Sequence, residues 1–160
     1  MLWFHFDRRL AFGLVGWLAV CFLAASAAAV FMPGDWYYAL KKPAWNPPAW
    51  IFGPVWTVLY TMMAVAAWLV WKRGGFVAHR VALSLFLTQL VLNGAWTPLF
   101  FGLHELGLAG AEIALLWLAI AETLAVFWPI NRAAACLLVP YLLWVSFAAA
   151  LNFALWRLNS

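Results

Sequence analysis

Five stretches of this chain are long, apolar and nearly free of charge: about 10–32, 50–71, 81–101, 108–127 and 133–156. A helix needs about 20 apolar residues to cross a bilayer's hydrocarbon, so each is long enough to span one. Hydrocarbon offers no partner to a backbone N–H or C=O, which leaves helices or a closed barrel as the only spanning structures. The runs are continuous rather than alternating, and that argues against a barrel. Composition agrees: 69% of residues are hydrophobic, 9% are charged and the mean hydropathy is +0.96, whereas soluble domains carry about 25% charged residues. The expected fold is therefore an all-α integral membrane protein, one domain over 1–160. It is a five-transmembrane-helix bundle with a long ordered loop, 33–49, between helices 1 and 2.

The formal charge of +4 is dispersed, without the basic run that marks a nucleic-acid contact, so membrane lipid is the expected macroscopic partner. Cys21 and Cys136 have no metal-binding or redox spacing and read as small buried hydrophobes. Arg8, Arg9 and the Ala25-Ser26-Ala27 segment resemble a signal peptide, but the apolar run exceeds a usual signal core and reads as a retained span. Orientation follows the distribution of Lys and Arg. Arg8, Arg9, Lys72, Arg73, Arg80 and Arg132 fall on the N-terminal side, against Lys41, Lys42 and Arg157 on the other. Six against three predicts a cytoplasmic N-terminus, if the membrane is an inner one, and an outside 33–49 loop. The spans share no repeat, which weighs against transporters built from duplicated halves. The Lys72–Arg80 and Gly102–Gly107 segments read as simple connections.

Between Pro33 and Tyr60 lie five of the eight prolines, with Trp36, Trp45, Trp50 and Trp56 among them. Proline fixes its own φ and restricts the preceding residue, so such a loop loses little entropy on ordering. Interleaved aromatics bury large rigid surfaces while keeping polar tips near water. The loop reads as a folded lid.

Three spans carry a polar and aromatic stripe at helical spacing: Trp56, Tyr60, Met63 and Ala67 in the second; Gln89, Asn93, Trp96 and Phe100 in the third; Tyr141, Trp144, Ala148 and Asn152 in the fifth. Amides facing lipid cost free energy, so the stripes should turn inward. At about 1.5 Å per residue, Trp56, Asn93, Trp96 and Ala148 fall roughly 8–12 Å below the loop-side ends of their spans, with Trp144 nearer the midplane. Rings and amides thus gather under the loop. Ordinary helix packing, with an amide bridging helices, accounts equally for spacing alone.

Other polar residues read less sharply. His5, His79 and His104 fall at span ends or connections, off these stripes, and read as surface histidines rather than iron ligands. Glu112 and Glu122 in the fourth span lie ten positions apart, about 80° around a helix. They suggest snorkelling or pairing, for Glu122 with Arg132, and otherwise proton coupling. There is no Ser/His/Asp set, phosphate-cradling glycine loop or carboxylate pair. Ser84 and Thr88, with Gly94-Ala95, offer small residues for helix association.

The segments DWYYALKKPAWNPPAWIFGPVWTVLY, QLVLNGAWTPLFFG and VPYLLWVSFAAALN closely resemble the translocator protein family, also called tryptophan-rich sensory proteins or peripheral benzodiazepine receptors. With the length and five-span plan, the likeness covers essentially the whole chain. It implies a five-helix bundle, commonly a homodimer, in a bacterial membrane, whose cavity binds porphyrins and related planar hydrophobic molecules. The implied ligand-binding residues are Tyr37, Pro47, Trp56, Tyr60, Asn93, Trp96, Trp144 and Ala148. Trp56 and Trp144 match tryptophans implicated in light-dependent porphyrin degradation, and would be the catalytic residues only if that reaction occurs. Lys41 and Lys42 could attract porphyrin propionates or simply snorkel. No metal and no required cofactor are implied; a protoporphyrin-like ring is the ligand. Mammalian members carry a proposed cholesterol motif with a central tyrosine. Here LNFALWR has Phe153 in that place and Arg157 after it, so steroid transport is not carried over.

The expected function is a membrane receptor or binding protein for porphyrins under the first loop, linked to tetrapyrrole homeostasis or stress signalling. A small-molecule transporter and a light-dependent porphyrin-degrading protein are the alternatives.

Overall fold

The computed structural model describes residues 8–31 and 33–160; His5 and Met32 lie outside them. The elements are α1 (Arg8–Ala29), the short α2 (Asp35–Ala39), a 3-10 turn at Ala49–Ile51, α3 (Phe52–Trp71), α4 (Gly75–Thr97), a π turn at Pro98–Gly102, α5 (Leu106–Ile130) and α6 (Arg132–Asn159). Among the described residues, five helices are long and apolar enough to cross a membrane. The chain is an integral membrane protein of five spans, as its apolar runs require.

Neighbour packing closes these five into a ring: α1 lies on α3, α3 on α6, α6 on α5, α5 on α4 and α4 on α1, with α3 also touching α4. Small residues let the helices approach. Ala64, Ala66 and Ala67 of α3, Ala82 of α4, and Ala134 and Ala135 of α6 are buried among Met63, Leu83, Phe86, Ile120, Phe127 and Leu138. Close van der Waals packing holds such a bundle, because lipid tails are as apolar as the side chains. The outer surface stays apolar, with Phe12, Leu23, Val77, Val91 and Leu143 exposed. Two indole N–H groups bond between spans: Trp68 Nε1 donates to Leu10 O across α3 and α1 at 2.8 Å, and Trp117 Nε1 to Ser146 Oγ across α5 and α6 at 2.8 Å.

Three expectations change. The third span starts at Gly75 rather than Val81, because the charged Lys72–Arg80 segment is mostly helix, interrupted only at His79 (φ −129°, ψ 40°). The turn itself is made by Gly74 and Gly75, both at positive φ, a conformation glycine adopts freely. Cys21 is fully buried as expected, but Cys136 is exposed on the outer face of α6. The 33–49 loop is ordered yet contains a helical turn, α2. Gly34 O accepts from the N–H groups of Tyr37 and Tyr38 at its start.

Where α1 crosses α3, a Cβ on Gly13 would collide with the Trp71 ring, whereas one on Gly16 would meet nothing within 4 Å. Gly13→Val should therefore displace Trp71 and destabilise the bundle by about 1–3 kcal/mol. A lower unfolding midpoint in detergent checks this, with Gly16→Val leaving it unchanged.

Candidate functional site

Asn93 is the node of the site. It is 5% exposed, it accepts a short hydrogen bond from the Tyr60 hydroxyl, and its Nδ2 donates to Tyr141 Oη at 3.0 Å. One amide thus links α3, α4 and α6. Rings cover the cluster on the α3 side, where Trp56 lies 5.4 Å from Tyr60 and 6.3 Å from Tyr141 between ring centroids. Tyr141 began the fifth-span stripe but was not among the expected ligand-binding residues. Its spacing three before Trp144 was the signal that could have placed it there.

A second polar link lies nearer the loop. Trp96 Nε1 donates to Asn152 Oδ1 at 3.3 Å, and Asn152 Nδ2 donates to Leu106 O at 2.9 Å. Pro98 begins the π turn that follows α4; such turns recur at functional sites. This one brings Phe100 and Phe101 under the loop: Trp96 stacks on Phe100 at 4.7 Å, and Tyr37 meets Phe101 at 5.4 Å.

Trp144 corrects the depth count. Its ring meets Phe52, the first residue of α3, at 5.9 Å and Phe147 at 5.5 Å, while Phe147 meets Trp45 of the loop at 5.8 Å. It is therefore level with the start of α3 rather than near the midplane. Counting from span ends assumed that they share a plane, but α6 runs 28 residues and its last turn stands beside the loop. Trp56 and Trp144 consequently pack on different rings, with Tyr141 and Phe52 as their respective neighbours. Ala148 is half-buried and packs against the core. Pro47 is half-buried in the loop, its carbonyl accepting from Asn46 Nδ2 at 3.1 Å.

The loop is fastened at three points. Lys42 Nζ donates to the carbonyls of Tyr37, Tyr38 and Leu40 at 2.6, 3.1 and 3.2 Å and lies 4.7 Å from the Tyr37 ring centroid. It closes the C-terminal end of α2 rather than snorkelling freely. Asn159 Oδ1 accepts from Lys41 N–H at 2.9 Å and its Nδ2 donates to Lys41 O at 3.0 Å, tying loop to α6. His104, at φ 60°, stacks on Trp36 at 4.1 Å; it is exposed, yet it pins α2 to the α4–α5 turn. Burial pushes the Tyr37 hydroxyl above its ordinary value, offset in part by its contact with Asn46. Tyr37 therefore stays a neutral donor at physiological pH.

Under this lid the rings pack on one another. Two grooves lie elsewhere on the bundle: about 230 Å³ between α5 and α6, beside Gly110, Ala114 and Phe153, and about 600 Å³ at the opposite end, beside Arg73 and Arg132. A flat guest beneath the loop would have to part Trp56 and Trp144 from their neighbours. Two further expectations shift. Glu112 is 7% exposed and neither snorkels nor pairs, while Arg132 lies over Trp128, 5.9 Å from the ring centroid. Phe153 is exposed on the outer face.

The fold and its roofed ring-and-amide cluster define a five-span helical membrane protein with an internal aromatic site. A sequence model described as the TspO/MBR family matches residues 10–157, and the chain belongs to that family. It is 40% identical to the protein CrtK of Rhodobacter capsulatus, over 89% of this chain and 90% of that protein. It is 41% identical to a tryptophan-rich sensory protein of Cereibacter sphaeroides, over 89% of this chain and 88% of that one. The human translocator protein is 44% identical over 78% of this chain and 75% of its own length.

Lys42 supports a prediction. Lys42→Met removes hydrogen bonds to a charged group, each worth about 1.5–3 kcal/mol. It should speed limited proteolysis within 33–49 by roughly tenfold or more, while cleavage between α5 and α6 is unchanged.

Proposed function

We propose that the protein is a membrane receptor for porphyrins and related planar hydrophobic molecules, which it binds beneath the 33–49 loop in tetrapyrrole homeostasis or stress signalling. The observation that carries this reading is the Asn93 cluster: an amide bridging two tyrosines, flanked by Trp56 and roofed by a loop fastened to α6. Tryptophan and tyrosine faces suit stacking on a flat macrocycle, and burial contributes about 25 cal/mol per Å² before the costs of association. The guest would part the Trp56 and Trp144 rings and exchange ring-on-ring contacts for ring-on-macrocycle contacts. Tyr37, Pro47, Tyr60, Asn93, Trp96 and Ala148 would line it. No cofactor is needed. The chain would act as a homodimer, for which the exposed Ser84 and Thr88 on α4 offer small-residue contacts, with its N-terminus on the cytoplasmic side.

The relatives' names, a sensory protein in one case and a translocator in another, match sensing first and transport second. Light-dependent degradation of the bound pigment would use its excited state with Trp56 and Trp144 close by.

Protoporphyrin titrated into the protein in nanodiscs should quench tryptophan fluorescence saturably. Asn93→Ala and Trp144→Ala should each weaken affinity about tenfold, the equivalent of roughly 1.4 kcal/mol, and an unrelated planar dye should not saturate. Equal titration curves for the wild type and both variants would remove the site from this region.

A further inference from the structure

Two side chains inside the bundle lack partners. Gln89 on α4 is 1% exposed and Glu112 on α5 is 7% exposed. Neither amide atom of Gln89 and neither carboxyl oxygen of Glu112 makes a hydrogen bond. Buried polar groups are nearly always satisfied, and an intramembrane carboxyl is a functional group by default.

The two lie at one level. The Trp96–Asn152–Leu106 link ties α4, α6 and α5 together near the loop. At 1.5 Å per residue, Gln89 is about 10 Å and Glu112 about 9 Å deeper than that link, on directly packed helices. Gln89 is also one turn beyond Asn93 on the same inward stripe.

The neighbouring hydrogen bonds have a direction. Tyr60 donates to Asn93 and Asn93 donates to Tyr141. A tyrosine hydroxyl carries one proton, and that of Tyr141 remains for a further acceptor. Glu112 lies within electrostatic reach of Tyr141, so the last donor of the chain and the free acceptors share one region.

Charge decides what such a site takes. The buried polar side chains among the described residues are Gln89, Asn93, Glu112, Thr123 and Asn152, none of them basic. The titratable group within reach of Glu112 is Tyr141 from α6, and Tyr141 in turn neighbours Tyr60 from α3 and Cys21 from α1. From α4 come only the non-ionising Gln89 and Asn93. Glu105, just before α5, and Glu122 on α5 are exposed. No side-chain cation is there to neutralise the carboxylate.

We propose that Glu112 and Gln89 form an intramembrane proton-binding site, bridged by ordered water, at the end of the Tyr60–Asn93–Tyr141 chain. A hydronium ion gives its proton to the Glu112 carboxylate, leaving water and a neutral acid. The acid O–H then donates to Gln89 Oε1 through or beside that water, while Gln89 Nε2 and Tyr141 O–H donate to it. A water so placed has the two to four polar partners that hold internal water. The site does not depend on the porphyrin reading. It would couple proton uptake to any event that breaks the Tyr60–Asn93 bond.

Infrared difference spectra of the full chain in nanodiscs, taken across pH steps in H₂O and in D₂O, test this. The wild type should show a carboxyl component that interconverts between carboxylate and acid, shifts in D₂O, disappears in Glu112→Gln and moves in Gln89→Leu. The same spectra on ¹³C-glutamate-labelled wild type and on Gln89→Leu serve if Glu112→Gln does not fold. A Glu112 component that neither titrates nor exchanges would make the pair a dry packing feature. One that follows sodium concentration at fixed pH would make it a metal-cation site. Either result overturns the proposal, whatever protoporphyrin does.

Discussion

The bond from Tyr60 to Asn93, continued from Asn93 to Tyr141, is the constraint on which the rest of the bundle depends. In lipid, three helices gain little from hydrophobic association, so an amide that satisfies two hydroxyls sets their register where packing alone would leave latitude. It also fixes which way three stripes face. With Asn93 committed to Tyr60 and Tyr141, Trp56 must lie over both tyrosines, and Trp96, one turn nearer the loop, reaches Asn152.

The loop is the second half of the same design. It is held by hydrogen bonds to backbone groups and by ring stacking: Lys42 on the end of α2, Asn159 on Lys41, His104 against Trp36. These contacts stiffen the roof without filling the space below, which is left to aromatic rings. Aromatic faces exchange partners more readily than interlocked aliphatic side chains, because one flat surface replaces another at similar contact area. A ring-packed interior beneath a fastened loop is suited to a flat guest.

Much of this was legible in the sequence, for reasons that can be separated. The spans were readable because hydrocarbon thickness fixes their length, and the inward stripes because polar groups cannot face lipid. The start of α4 was not, since Lys72–Arg80 looks like a link. Charged residues are tolerated in helix that emerges into the interface, and Gly74-Gly75 alone makes the turn. The level of Trp144 was misjudged because span ends do not share a plane when α6 reaches past the others. The role of Lys42 was hidden because a lysine capping nearby carbonyls leaves no trace in composition. Tyr141 was visible as part of a stripe, but its membership of the site needed the partner across the bundle. The isolation of Glu112 depended on what every neighbouring helix turns toward it, which no single segment reveals.

The most direct measurement is the side-chain amide resonance of Asn93, observed by NMR in selectively labelled protein in nanodiscs while protoporphyrin is added. A guest under the loop must perturb the Tyr60–Asn93–Tyr141 chain, so this resonance should shift saturably while that of Asn131, at the other end of the bundle, stays fixed. An Asn93 signal that remains unchanged at saturating protoporphyrin would contradict the account.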